Sequence, residues 1–429
     1  MFIGLDIHKA FIHVVKIKNA GAPVKESFQF PTTVEEITKF AGTLKPKDQV
    51  VLESTLHSVP IAKILGQSGA KIVISNPIKT KMIANSRIKS DKVDAEVLAR
   101  LLASDFIPTV WLPTPEITEI RKLTVFSDIV TSQRTIVKNK IHSVLHRNLI
   151  SYGHLPNLFN SVGRKFLDEV QLPEDEVFQL KIELQILDYL DKQINIIKER
   201  IARKVITDED CKRIMTIPGI DFYSALSIKA VIGDITRFGN QWKLVSYMGL
   251  NPRMYQSGNS CYIGKITKSG SRHARWVLVQ AANQIAKTPG PLRAFFLRVK
   301  RRSHRNTAIV AVASKLTRII WFMLTRKTDF RFAHPLRTKE KMAKLRIVAT
   351  GVRLGFSKKK GAPKGAGRQE YLLARVHDHD NAIQGQKEYE EFVESRVGTK
   401  QVKVNALLIN PVVQEIPTEP KVKSLVSSK

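Results

Sequence analysis

The sequence predicts an α/β amino-terminal domain followed by an all-α remainder, and three observations predict it. Residues 1–105 alternate short β-rich runs with helical stretches. From Pro115 to about Val205 the pattern turns helical, and Leu180, Leu187, Ile194 and Ile201 recur every seventh position. Beyond residue 211 the chain stays helical, with Gly-rich interruptions, to about residue 330.

Taken in order, FIGLDI (2–7) and FIHVVKI (11–17) are β-rich runs separated only by HKA. That spacing reads as a hairpin, an antiparallel start and not a nucleotide-binding βαβ unit. SFQF (27–30) is a candidate third strand, and TTVEEITKFAGTL (32–44) opens on a Thr cap with helical spacing. QVVLE (49–53) reads as a buried strand, VPIAKILGQSGA as a helix ending at Gly, and KIVISN (71–76) as another strand. A longer helix follows, best defined over SDKVDAEVLARLL (90–102). The order β-β-β-α-β-α-β-α is that of the ribonuclease H-like fold.

In the helical remainder, Leu190 and Ile197 fall between the heptad positions and complete a coiled-coil seam. EIRKLTVFSDIVTSQRTIVKNKIHSVLHRNLI is its antiparallel partner, which leaves Arg134, Lys138 and Lys140 as an exposed basic face, solvated or in contact with phosphate. Residues 337–368 hold 11 basic residues and one acidic, including KKKGAPKGAGR, and read as a flexible polyanion-binding linker. Residues 369–429 hold 8 basic and 9 acidic residues and are expected to have low order, apart from a short helix near 385–396. The expected boundaries are 1–110, 111–207, 208–336 and 337–429.

Charge narrows the function. The chain has 429 residues, with 70 Lys+Arg against 38 Asp+Glu, a net +32. Such a protein associates with polyanions, because each neutralised phosphate releases counterions. No basic amphipathic anchor with a Trp/Phe/Leu face is present, so nucleic acid is expected and a membrane partner is not. With 43% hydrophobic residues the chain has material for real cores. Two cysteines, Cys211 and Cys261, exclude a disulfide framework and a thiolate zinc site. MFIGLDIHKA does not read as a signal peptide, and no run of about 18 apolar residues occurs. The expected setting is a reducing cytoplasm, in association with the nucleoid.

Three constellations carry chemistry. Asp6 interrupts the apolar strand FIGLDI, where an unpaired charge is costly, and Glu53 ends another apolar strand. Asp91 and Asp94, three apart, share a helix face. Alone, that pair reads as surface charge beside Lys89 and Lys92; together, the four acids can bind divalent cations through hard oxygen ligands. Two Mg²⁺ ions about 3.5–4 Å apart would stabilise the attacking and leaving oxygens of a phosphodiester. The second constellation is Ile-Pro-Gly-Ile (217–220), which resembles the turn of a helix-hairpin-helix. There the backbone at Gly219 would approach a DNA phosphate; a plain helix–helix corner reads equally well. The third is a Gly-rich loop with Ser257-Gly258 followed by Lys265, Lys268 and Arg272. The cations would offset charge on a phosphoryl transition state. Ser257 alone reads as a turn residue, and as a nucleophile if something removes its proton. Arg293 to Arg305 adds six basic residues and no acid, Trp321 and Phe322 read as core, and the eleven histidines show no metal-ligand spacing.

GLDIHK at 4–9, Glu53, SDKVDA at 90–95, IPGI at 217–220 and SGN…GKITKSGSRHAR at 257–275 together resemble the DEDD transposases of the insertion-sequence one-ten family, related to the Piv invertase. The resemblance covers about residues 1–330. It implies a RuvC-like domain whose metal-binding acids are Asp6, Glu53, Asp91 and Asp94, a coiled coil for assembly, and a carboxy-terminal transposase domain with Ser257 as nucleophile. It also implies a homotetramer guided by a structured bridge RNA to its target and donor DNA. Serine attack would give a covalent protein–DNA intermediate, strand exchange would pass through a Holliday junction, and acids and serine from different subunits would form a composite site. Two departures stand out: STLHSV follows Glu53 where the family has a small residue, Thr and Gly, and residues beyond 337 have no counterpart. Three rivals remain: strand transfer to a DNA 3′-OH directed by the acids alone, a Holliday-junction nuclease using the same acids, and a non-enzymatic nucleic-acid scaffold.

Overall fold

The computed structural model describes residues 1–84, 90–258, 260–352 and 366–398, and the chain divides into two compact units, Met1–Thr114 and Pro115–Lys429. The first unit contains β1 (Phe2–Ile7), β2 (Phe11–Ile17), β3 (Glu26–Pro31), α1 (Val34–Thr43), β4 (Gln49–Glu53), α2 (Ser58–Leu65), β5 (Lys71–Ser75), α3 (Pro77–Ile83) and α4 (Asp91–Ala103). Its strands form one mixed sheet in the order β3-β2-β1-β4-β5. β1 runs antiparallel to β2 and parallel to β4, and β4 runs parallel to β5. This mixed sheet with its helices is compatible with the ribonuclease H-like expectation.

Both faces of the sheet are covered, which is why the central strands are almost continuously apolar. Ile3, Leu5, Val50 and Leu52 pack with Ile37 and Phe40 of α1 and Ile61 and Leu65 of α2. On the other face Val15 and Ile17 meet Ala95 and Ala99 of α4, and Val51 meets Leu98 and Leu102. Gly4 makes the second layer possible: a Cβ there would lie 1.9 Å from the Ala95 carbonyl oxygen and 2.9 Å from the Ala99 nitrogen. Side chains alternate along a strand, so Asp6 shares the α4 face with Gly4, and Glu53 shares it with Val51. Ser90 caps α4, its hydroxyl accepting from the Val93 N–H at 3.3 Å. Part of the longer helix expected before it, residues 85–89, lies outside the described residues.

The second unit begins with α5 (Pro115–Arg147), α6 (Ser161–Glu169) and α7 (Glu174–Val205). α5 and α7 pair antiparallel: Arg147 meets Glu176 at 2.6 Å, Lys140 meets Glu183 at 3.2 Å, Arg134 meets Asp191 at 2.6 Å and Lys204 meets Glu119 at 3.4 Å. Leu180, Leu187, Leu190, Ile194, Ile197 and Ile201 are buried, facing Val130, Val137, Ile141 and Val144 of α5. Then come α8 (Glu209–Met215), α9 (Phe222–Ile232), α10 (Gln241–Tyr247), the hairpin β6 (Pro252–Ser257) and β7 (Ser260–Ile266), α11 (Arg272–Ile285), α12 (Pro291–Lys300) and α13 (Arg305–Arg326). α13 is long and apolar enough to cross a membrane by length and composition, but half of its apolar stretch is buried inside the unit, with Val312, Leu316 and Ile320 in the core. Trp321 is half-buried, its indole N–H donating to the Phe238 carbonyl at 3.0 Å.

The chain continues as α14 (Pro335–Thr350) and α15 (Ala366–Gly398), longer structure than the low order expected there. The cause is packing that a charge-rich sequence conceals. Leu345 and Ala349, one turn apart, are buried, and Lys341 Nζ donates to the Met215 and Ile217 carbonyls at 2.7 Å each. Asp378 of α15 accepts from the Leu336 N–H at 2.9 Å, a polar tie between α15 and the start of α14. KKKGAPK (358–364) and the segment 399–429 lie outside the described residues.

Candidate metal centre and nucleic-acid interface

Asp6 is the next residue after the Leu5↔Leu52 pair of β1 and β4, and Glu53 follows Leu52. Because the two strands are parallel, both acids leave the same sheet edge. α4 starts above that edge with Asp91 and Asp94 in its first turn, where the helix dipole favours negative charge. His8, in the turn to β2, joins the strand acid to the helix acid. Its Nε2 lies 3.0 Å from Asp6 Oδ2 and 3.2 Å from Asp91 Oδ1.

Ligand atoms of Asp6, His8 and Asp91 all lie within 4.8 Å of one another. Burial pushes the Asp6 carboxyl above the ordinary carboxylate value; His8 opposes that, and the charges of Asp91 and Asp94 add to it. A bound cation would offset both the burial that disfavours the Asp6 carboxylate and the smaller repulsion from Asp91 and Asp94, so this donor set fits a divalent metal. Asp94 acts on Asp6 through its charge, and Glu53 stands on the adjacent strand on the same face. His8 is the member that sequence reasoning passed over. The signal for it was Asp-Ile-His, in which positions 6 and 8 project to one side when the strand runs into its turn.

In the second unit Ser257 closes β6, opposite Ser260, and Gly258 follows with a φ of +53°. The expected Gly-rich loop is therefore an exposed β-hairpin with Gly258 in its turn, and Asn259 lies outside the described residues. Gly at a two-residue turn takes the left-handed backbone that joins tightly paired strands. Among the described residues no side chain hydrogen-bonds to the Ser257 hydroxyl. Lys265 is exposed on β7, Lys268 is exposed with a φ of +55°, and Arg272 is exposed at the start of α11. From Ile235 to Thr328 the sequence has eighteen Lys and Arg and no acidic residue. Such a run favours an anionic partner.

Other residues singled out in the sequence have contacts within the protein. Arg134 pairs with Asp191 at 2.6 Å, and Lys138 Nζ lies 4.4 Å from the centre of the Phe159 ring. Burial and the nearby Arg134 guanidinium push the Lys138 amine down. Ile217 and Ile220 are fully buried between α8 and α9. Gly219, with a φ of +80°, lets α11 approach: a Cβ there would lie 2.8 Å from Gln284 Cβ. The Ile-Pro-Gly-Ile turn is thus also a packing corner. His273 Nδ1, 2.5 Å from Asp128 Oδ2, ties α11 to α5, and Tyr223 of α9 donates its hydroxyl to the same Asp128.

Comparison with known proteins agrees with this layout. The profile of a DEDD transposase of IS110 type matches residues 3–149, and that of the Transposase IS116/IS110/IS902 family matches residues 211–296, together more than half of the chain. The chain is 29% identical over 258 residues to the transposase for insertion sequence element IS1111A of Coxiella burnetii, covering 57% of this chain and 68% of that relative. It is 26% identical over 338 residues to the transposase for IS1328 of Yersinia enterocolitica, covering 76% and 98%. It is 27% identical over 269 residues to the pilin gene-inverting protein of Moraxella lacunata, covering 61% and 74%. A DEDD transposase domain implies use of a divalent metal, and the donors around Asp6 fit one. The chain belongs to the IS116/IS110/IS902 family of DNA transposases.

Proposed function

We propose that this protein is the recombinase of a mobile element, cutting and rejoining DNA through Ser257, with Asp6, Glu53, Asp91 and Asp94 holding Mg²⁺ in a two-metal site. The observation that carries this reading is the convergence of Asp6, His8 and Asp91 on the sheet edge that also bears Glu53. When bound, the metal supplies positive charge against the phosphodiester oxygens. The His8 ring, 3.0 Å from the strand acid and 3.2 Å from the helix acid, holds the two together, and a cation between them would offset the burial that disfavours the Asp6 carboxylate. At the other site the Ser257 oxygen forms a bond to phosphorus while the bond from phosphorus to one ribose oxygen breaks. The hydroxyl proton leaves the serine, and the departing ribose oxygen takes one up. Lys265, Lys268 and Arg272 bind the phosphates on either side. Reversal on a new strand rejoins the DNA and frees the serine.

In this reading the partners are the element ends, the target DNA and a structured guide RNA, which share the +32 charge. Arg134, Lys138 and Gly219 would add backbone contacts. The protein works as a homotetramer in the cytoplasm, at the nucleoid. Assembly has support in α7, where Ile182, Tyr189 and Ile196 form a second heptad line, exposed on the side away from α5.

One observation favours a second reading, hydrolysis and transfer by the acids alone: the Ser257 hydroxyl has no base beside it among the described residues. Denaturing electrophoresis separates the two. Protein is mixed with labelled element-end DNA, Mg²⁺ and RNA transcribed from the flanking sequence. Wild type is expected to give a slow-migrating covalent adduct that Ser257→Ala lacks, and Asp91→Ala to abolish cleavage. Cleavage without adduct by both wild type and Ser257→Ala would favour the second reading.

A further inference from the structure

The β6–β7 hairpin displays aromatic surface that the proposed chemistry does not use. Tyr255 and Tyr262 are directly paired across the two strands, 58% and 67% exposed, with ring centres 6.2 Å apart and planes tilted by 33°. A two-stranded hairpin is marginal in water by itself, and these rings are not buried against a core. Their exposure is therefore unexplained by folding, and an exposed aromatic pair marks a contact surface.

Register says where that surface lies. Tyr255 and Ser257 are two apart on β6, and Tyr262 and Ser260 are two apart on β7, so both rings share a face with the Ser257 hydroxyl. Two strand residues span about 7 Å, the rise of about two stacked bases. The root of the hairpin is fixed. A Cβ on Gly249 would lie 2.3 Å from the Ser269 oxygen, and one on Gly270 would lie 2.1 Å from the Tyr247 oxygen. Thr267 donates its N–H to the Asn251 carbonyl at 2.9 Å, and Arg275 donates to the Met248 and Gly270 carbonyls at 3.2 and 3.1 Å. The hairpin that carries both the rings and the serine is thus anchored at its base.

Charge selects the occupant. Arg253 and Lys265 are exposed on the same two strands, and Lys268 and Arg272 are exposed just after β7, within a 94-residue run free of acids. A second copy would bring the same cations to the same face and be repelled, whereas a single DNA strand offers phosphates for the cations and open base faces for the rings. We propose that Tyr255 and Tyr262 form a stacking platform for unpaired bases of the DNA strand next to the phosphate that Ser257 attacks. This rests on the Ser257 reading for its place in the reaction, but binding can be measured apart from it.

The test uses the full-length protein and a single-stranded oligodeoxynucleotide carrying one 2-aminopurine, with an oligoribonucleotide of the same sequence in parallel. Stacking on tyrosine is expected to quench the probe. Tyr255→Leu and Tyr262→Leu should each weaken binding about tenfold and remove quenching, while the Phe variants keep both. The salt slope of binding should not change, because the phosphate contacts remain. Melting temperature serves as the folding control, since both rings are exposed. Ser257→Ala should quench like wild type, so quenching by both proteins with no adduct from wild type would overturn the Ser257 nucleophile and leave the platform. Equal affinity and quenching in the Leu variants, or quenching of the ribonucleotide probe only, would overturn the proposal.

Discussion

Gly4→Ala connects the fold to the metal centre through one methyl group. Gly4 lies under α4, and the added Cβ would sit 1.9 Å from the Ala95 oxygen, where side-chain carbons essentially never come closer than 3.0 Å. The obstructing atoms are main chain, so no rotamer change relieves the clash, and α4 must back away from β1 by at least 1.1 Å, the difference between those distances. Overpacking of that kind costs about 3 kcal/mol. It also carries Asp91 and Asp94 away from Asp6, breaking the 3.0 and 3.2 Å contacts through His8. A calorimetric scan should show the transition of the first unit falling by about 10 °C. Titration with Mn²⁺ or Mg²⁺ should show weaker binding even well below that transition. Gly42→Ala is the control: it lies in helix α1, and its Cβ would meet nothing within 4 Å. It should stabilise by about 0.5–1 kcal/mol. Wild-type melting and cation affinity in Gly4→Ala would mean that α4 does not press on β1 at this position.

The other predictions concern the second unit. Asp210 accepts from Lys229 at 2.7 Å, Lys327 at 3.0 Å and Arg213 at 3.1 Å. Burial alone would raise its carboxyl, but the lysines overcome that and hold it below 3.8. The stability it contributes is therefore complete above pH 3.8 and lost as pH falls through the depressed value. Asp210→Asn should cost about 2 kcal/mol at neutral pH in urea unfolding, by leaving half-buried Lys229 with only the longer 3.9 Å pair to Asp208, and the gap from wild type should close in acid. Cys261 is exposed, while Cys211 is buried with its thiol pushed well up, so a disulfide reagent should titrate one thiol quickly and the second only on unfolding. Two fast thiols would contradict the packing of α8. Replacing Ile182, Tyr189 and Ile196 together with Ser should lower the mass seen by light scattering without loss of helicity; an unchanged mass would exclude this face from assembly.

The acidic centre was readable because Asp6 is an anomaly: a charge inside an apolar strand demands a partner, and period-two alternation brings Glu53 to the same face. The i, i+3 spacing of Asp91 and Asp94 in SDKVDAEVLARLL put both on one helix face as well. His8 was only faintly signalled by Asp-Ile-His, since its place depends on how the chain turns between β1 and β2. Gly4 carried no visible signal, because close packing against α4 is a long-range fact. The hairpin was partly legible. PRMYQS and SCYIGKI flank a Gly-Asn pair that fits a tight turn, but the glycines at 249, 258, 264 and 270 made the stretch look like a loop. α14 was hidden by its charge. Only Leu345 and Ala349 are buried on it, and Lys341 works through its amine on two distant carbonyls.

The central claim is that the serine, and not water or a DNA hydroxyl, takes the phosphate. Peptide mass spectrometry of the trapped protein–DNA complex after nuclease and protease digestion tests it most directly. A residual nucleotide phosphate is expected on the peptide containing Ser257, dependent on Mg²⁺ and absent in Asp6→Ala. A nucleotide on any other residue, or cleaved and rejoined DNA with no modified peptide, would contradict it.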